Sequence, residues 1–155
     1  MKKTETPKQE KEVIVPGPEA SADLDPTKPK FDPDELSQIF DEIMFSGEYT
    51  EEITIRKKLK VFFRSRTAEE TTLISREIDG KNYSLITTLH EDRAILNLAY
   101  SIVSYAGKDL SNTGIDERKK FINKLPAVVI SILSLELNKF DYKIEAACKD
   151  GEANF

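Results

Sequence analysis

Six of the seven prolines fall within the first 33 residues, and the seventh is Pro126. A proline lacks the amide donor that helices and sheet ladders need. The stretch they crowd is therefore poorly suited to regular structure, and the 92 residues between Pro33 and Pro126 contain no proline. Residues 1–32 also carry six lysines against seven acidic residues and almost no apolar mass. Burial there does not offset the entropy of ordering, so a disordered Pro- and charge-rich arm is expected. Val13-Ile14-Val15 is its one apolar triplet. It reads either as a short strand for a partner's sheet edge or as a chance cluster. Residues 33–150 are expected to fold as a single helix-rich domain, with 151–155 fraying.

Composition narrows the function classes. The net charge of −5 argues against a dedicated nucleic-acid binder. One cysteine, Cys148, forms no internal disulfide. Met1-Lys2-Lys3-Thr4-Glu5 leads into no apolar stretch, and no uncharged apolar run nears the roughly 18 residues of a membrane span. A soluble cytoplasmic protein is the expectation.

The periodicity reads as α+β, mostly α, with about five helices and one β-hairpin or long strand. Asp32-Pro33-Asp34-Glu35 opens a helix: a capping acid, a proline at the first helical position, and acids near the positive dipole end. Leu36, Ile39, Phe40 and Ile43 follow at helical spacing, and Ser46-Gly47 stops it. The period then drops to two. Ile53, Ile55, Leu59, Val61 and Phe63 share one parity, while Thr54, Arg56, Lys58, Lys60, Arg64 and Arg66 share the other. Either Arg56-Lys57-Lys58 turns a hairpin or the whole stretch is one strand.

Thr67-Ala68-Glu69-Glu70 is a capping box for a surface helix reaching Ile78 and ending at Asp79-Gly80. Thr88-Leu89-His90-Glu91 reads as a second box, for a helix that starts there or near Ser84. Its apolar stripe, Ile95, Leu98, Ala99, Ile102, Val103 and Ala106, carries it to a stop at Gly107. A polar loop over 107–114 and a short helix over Asp116–Lys124 come next. Pro126 opens the last helix, with Val129, Ile130, Leu133, Leu137, Phe140 and Ile144 on one stripe and Val128, Ile132 and Leu135 on a second. This helix is expected to pack on residues 88–106.

No catalytic, metal or cofactor constellation emerges. The basic run Arg56, Lys57, Lys58, Lys60, Arg64 and Arg66 reads as a solvated strand face or as a surface for phosphates or an acidic partner. Asp109 to Gly114 has oxygen ligands at the first, third and fifth positions of a calcium loop and glycine at the sixth. Lys120 stands where the bidentate glutamate is needed, which leaves a helix-connecting turn. His90 has no second histidine or nearby cysteine, and Cys148 has no histidine to activate it.

Three stretches taken together carry a resemblance. They are Leu59-Lys60-Val61-Phe62-Phe63-Arg64-Ser65-Arg66-Thr67-Ala68-Glu69-Glu70, then Ile95-Leu96-Asn97-Leu98-Ala99-Tyr100-Ser101-Ile102-Val103, then Lys124-Leu125-Pro126-Ala127-Val128-Val129. Their order over residues 50–145 resembles small tail assembly chaperones of long-tailed bacteriophages. The resemblance implies a non-enzymatic role without cofactors in the host cytoplasm. It implies partners among phage tail proteins, namely the tape measure protein and tail-tube subunits, with self-association also open. Surface around Leu96, Val103, Val128 and Leu135 is the expected contact with client or sister subunits; complete burial inside the monomer is the alternative. A structural virion subunit, such as a baseplate or connector protein clamping neighbours with its arm, is the competing function. A nucleic-acid regulator resting on residues 56–66 is a third.

Overall fold

The computed structural model describes residues 29–154, so the readings made for residues 1–28, Val13-Ile14-Val15 among them, and for Phe155 lie outside the described residues. From Phe31 onward the order is α1 (Pro33–Ser46), β1 (Thr50–Ile55), β2 (Leu59–Arg64), α2 (Ala68–Asp79), α3 (Ile86–Ser101), β3 (Ile102–Tyr105), β4 (Lys108–Asp109), α4 (Ile115–Asn123) and α5 (Ala127–Ala153). The strands form one four-stranded antiparallel sheet in the order β1-β2-β3-β4. The class is α+β, mostly α.

The local signals at three element ends act as expected. Asp32 Oδ1 accepts the Asp34 amide at 3.1 Å, Pro33 takes the first helical position, and Gly47 closes α1 at φ 80°. The Thr67 hydroxyl accepts the Glu70 amide at 3.2 Å while Glu70 accepts the Thr67 amide at 2.9 Å. Between β1 and β2 the chain takes the hairpin. Arg56 and Lys57 hold left-handed φ values of 50° and 59°, and the Lys58 amide donates to Ile55 O at 3.1 Å. This mirrored turn follows the twist of the strands, at about 1 kcal/mol for each side chain that is not glycine.

Burial follows the alternation. Val61 and Phe63 from β2 meet Leu98, Ala99 and Ile102 from the α3–β3 segment, Ile122 from α4, and Leu133, Leu137 and Phe140 from α5 in the main core. Ile74 and Ile78 of α2 bury with Leu96 in a satellite cluster. α5 packs on α3, as expected, and also along α1. There Phe31 meets Tyr142 at 5.9 Å between ring centroids, and Lys143 pairs with Glu35 and Glu51.

Four expectations are corrected. The second capping box does not form. α3 starts at Ile86 after an uncapped Leu85, which places Thr88 inside the first turn. The helix is anchored from the side instead: Leu89 packs against the satellite cluster, and Asp92 accepts from the Tyr83 hydroxyl at 2.9 Å. Next, the helix does not reach Ala106. It ends at Ser101, and Ile102–Tyr105 becomes a strand paired with Val61, Phe62 and Phe63 across a bulge. Gly107, at φ 80° beside Ala106 at 49°, turns a hairpin rather than stopping a helix. Third, residues 107–114 are not wholly polar loop, since Lys108–Asp109 is β4 and Leu110 is buried. Fourth, the C-terminal end is not frayed from residue 151: α5 runs to Ala153 with Gly151 buried against Phe40.

At the break after Ser101 the carbonyls of Ala99 and Ile102 meet Arg118, brought there by α4. This buried guanidinium donates to Ala99 O and Ile102 O at 3.4 and 3.5 Å, to Thr113 O at 3.0 Å and to Ser111 O at 2.9 Å. Two carbonyls around the α3 end and two in the loop before α4 thus share one cation. Burial, and after it the charge of Arg64, pushes its pKa down, yet a guanidinium keeps its proton in a protein.

Candidate functional site

Small side chains line the facing surfaces of α3 and α5 and leave the space between them unfilled. Ala94 faces Ala127, Ser131 and Ser134, and a groove of about 440 Å³ lies between them. Its remaining walls are His90, Glu91, Ile95 and Ile130. An adjoining hollow of about 170 Å³ is lined by Arg93, Asn97, Leu137 and Asn138, and shares His90, Ala94 and Ser134 with the groove. The Ser134 hydroxyl is buried at this junction and has no hydrogen-bond partner among the described residues. Such a group normally finds a partner.

The groove has apolar flanks. Val128, Ser131 and Leu135 share one stripe of α5 by their spacing of three and four, and Val128 and Leu135 are 65% and 56% exposed. On α3, Ile86 stands one turn before His90 on the groove-lining stripe and is 75% exposed. An apolar edge, a floor of small residues and a polar rim from Glu91, Arg93, Asn97 and Asn138 can accept one amphipathic helix. Neither Ile86 nor the small-residue floor stood out in the sequence; the spacing Ile86, His90, Ala94, Asn97 was the available signal.

The four apolar residues proposed as contact surface separate. Val128 and Leu135 border the groove. Leu96 is buried beneath α2, which removes it from any contact surface, and Val103 is half-buried on β3, where its carbonyl accepts the Leu110 amide at 2.8 Å.

The basic residues separate as well. Arg64 forms a two-pronged pair with Glu70, at 3.1 and 2.5 Å, and Arg66 reaches Ser101 Oγ at 2.5 Å and Asp141 at 2.6 Å. Both are internal clasps rather than a solvated or partner-binding face. Burial raises the Glu70 pKa, but the Arg64 hydrogen bond, the Thr67 amide and the Arg64 charge together hold it below its ordinary value. Arg56, Lys58 and Lys60 stay exposed at the hairpin end, with Lys60 3.2 Å from Glu52.

The remaining candidates take structural places. Asp109 accepts the amide and hydroxyl of Ser111 at 2.8 and 2.6 Å, which makes its loop a turn. Among the described residues no group of three or more His, Cys, Asp or Glu side chains could hold a metal ion, and no helix is long and apolar enough to cross a membrane. His90 is exposed on the groove wall. Cys148 is half-buried, and burial, followed by the charge of Glu152, pushes its thiol pKa up, away from the reactive thiolate. No family model, curated protein or solved structure matches the chain.

Proposed function

We propose that this chain is a non-enzymatic assembly chaperone of a long-tailed bacteriophage. In the host cytoplasm it holds apolar helical segments of a tape measure protein and helps join them to tail-tube subunits. One observation carries the reading: the groove between α3 and α5, with Val128, Leu135 and Ile86 exposed on the same two helices. A helix laid there covers side chains that the fold itself leaves in water. Burying each contributes about 1–2 kcal/mol, and the polar rim keeps the grip reversible. Small residues in the floor let a second backbone approach closely.

Co-expression with the phage's tape measure protein tests this. The wild-type chain is expected to keep the client in the soluble fraction. The double variant Val128→Asp with Leu135→Asp, which alters only exposed side chains, is expected to fold normally and to lose that effect. A client equally soluble with the variant refutes the groove, and a fixed copy number in purified virions refutes the chaperone role in favour of a structural subunit.

A further inference from the structure

The end of the sheet opposite α1 carries strain that the fold does not use. Arg56 and Lys57 occupy the two left-handed positions of the β1–β2 turn, where asparagine and glycine are the low-energy choices. The neighbouring β3–β4 turn follows that preference at one of its two positions, with Gly107 after Ala106. Neither the Arg56 nor the Lys57 side chain makes a hydrogen bond or ion pair among the described residues, and both are exposed. A strained backbone that holds idle cations outward points to a role outside the fold.

Other cations converge on the same end. Lys58 and Lys60 flank the turn, and the Ala106 amide donates to Lys60 O at 2.9 Å, which sets the second turn beside the first. Lys108 follows from β4, its ammonium 4.7 Å from the centre of the Phe121 ring. The nearby carboxylates are engaged: Glu52 with Lys60, and Asp109 with Ser111. Because Arg64 and Arg66 turn inward, the exposed positive charge of this region is concentrated at the turn.

We propose that this end of the sheet docks an acidic segment of a partner protein, with Arg56, Lys57 and Lys58 as its main contacts. The surface shares no residue with the α3–α5 groove and does not depend on the client reading. A protein segment fits better than a nucleic acid. The chain's net charge of −5 repels an extended polyanion, whereas a short acidic segment meets only the local field within about 10 Å. The rings at this end, Tyr105 and Phe121, pack edge-on at 5.5 Å, and Lys108 covers Phe121, which leaves base stacking little to use.

The test pairs stability with binding. A fluorescein-labelled decaglutamate peptide is titrated by anisotropy at about 50 mM salt and again at about 300 mM, with a 10-base-pair duplex of similar length, roughly 34 Å, carrying the same label in parallel. The wild-type chain is expected to bind the peptide in a salt-sensitive way and more tightly than the duplex. The variant Arg56→Asn with Lys57→Gly relieves the turn, so it is expected to melt about 5 °C higher while binding at least about tenfold more weakly. A lower melting point refutes the strain, and undiminished peptide binding refutes the surface. Wild-type protein that ignores the peptide, or prefers the duplex, overturns the assignment to an acidic protein segment.

Discussion

Substituting Gly151 with alanine puts two opposing effects in direct competition. Glycine inside a helix is normally a weakness, and alanine there adds about 0.5–1 kcal/mol. In α5, however, a Cβ at residue 151 would lie 2.4 Å from both Cγ and Cδ2 of Phe40 and 2.6 Å from its Cε2. Carbon atoms in contact prefer about 3.5–4.0 Å, so the overlap exceeds about 1 Å. Flipping the ring does not relieve it, because Cγ lies on the axis of that rotation. Either Phe40 changes its first torsion or the last turn of α5 lifts from α1. Overpacking of this kind costs about 1–3 kcal/mol. The clash outweighs the propensity gain, and Gly151→Ala is expected to destabilise the domain by about 1–2 kcal/mol, or about 3–6 °C in thermal midpoint. Circular dichroism melts and urea titrations measure the difference. A second variant, Phe40→Ala, isolates the cause. In that background Gly151→Ala is expected to be neutral or stabilising, which gives a coupling energy of about 1–3 kcal/mol. If Gly151→Ala raises the midpoint with Phe40 in place, the packing argument fails and intrinsic propensity governs this turn.

Arg118→Met is expected to lower stability by about 2–4 kcal/mol in urea unfolding, since it strips donors from four carbonyls. Arg118→Lys is not expected to restore it, because one ammonium does not span that set, and full recovery with lysine would show that charge alone matters. The Glu70 clasp sets an acid limit. Its folded pKa lies below the ordinary value of 4.5, so its contribution is complete above that value and disappears as pH falls through the lower, folded pKa. Melting points of the wild-type chain and Glu70→Gln are therefore expected to differ most near neutral pH and to draw together as pH falls below 4.5; a gap that widens on acidification contradicts the assigned sign.

Much of the secondary structure was legible because its causes lie within one turn or one strand. Asp32-Pro33 and Thr67 with Glu70 cap their helices through bonds spanning two or three residues. The parity of Ile53, Ile55, Leu59, Val61 and Phe63 returned as the inward face of β1 and β2, and the stripe Leu133, Leu137 and Phe140 as the buried face of α5. Val128 and Leu135, read as a second stripe, are exposed beside the groove, although nothing local distinguished them from the buried Leu96. That difference depends on whether another helix lies across the residue, and α2 does so only for Leu96.

By itself the sequence determined where α1 and α2 begin and which face of β1 and β2 turns inward. Only the tertiary structure decided the fate of Ile102–Tyr105, which satisfies helical and strand spacing alike. There it pairs with the edge of β2, and Arg118 holds the carbonyls at the α3 end. It also decided that Arg64 and Arg66 would be clasps, because Arg66 meets partners 35 and 75 residues away, while Arg56, Lys57 and Lys58 stay exposed at the hairpin end. Caps and periodicity are short-range energies carried by neighbouring residues. Which surfaces meet, and which charges are left over, is settled when distant segments compete for the same buried space.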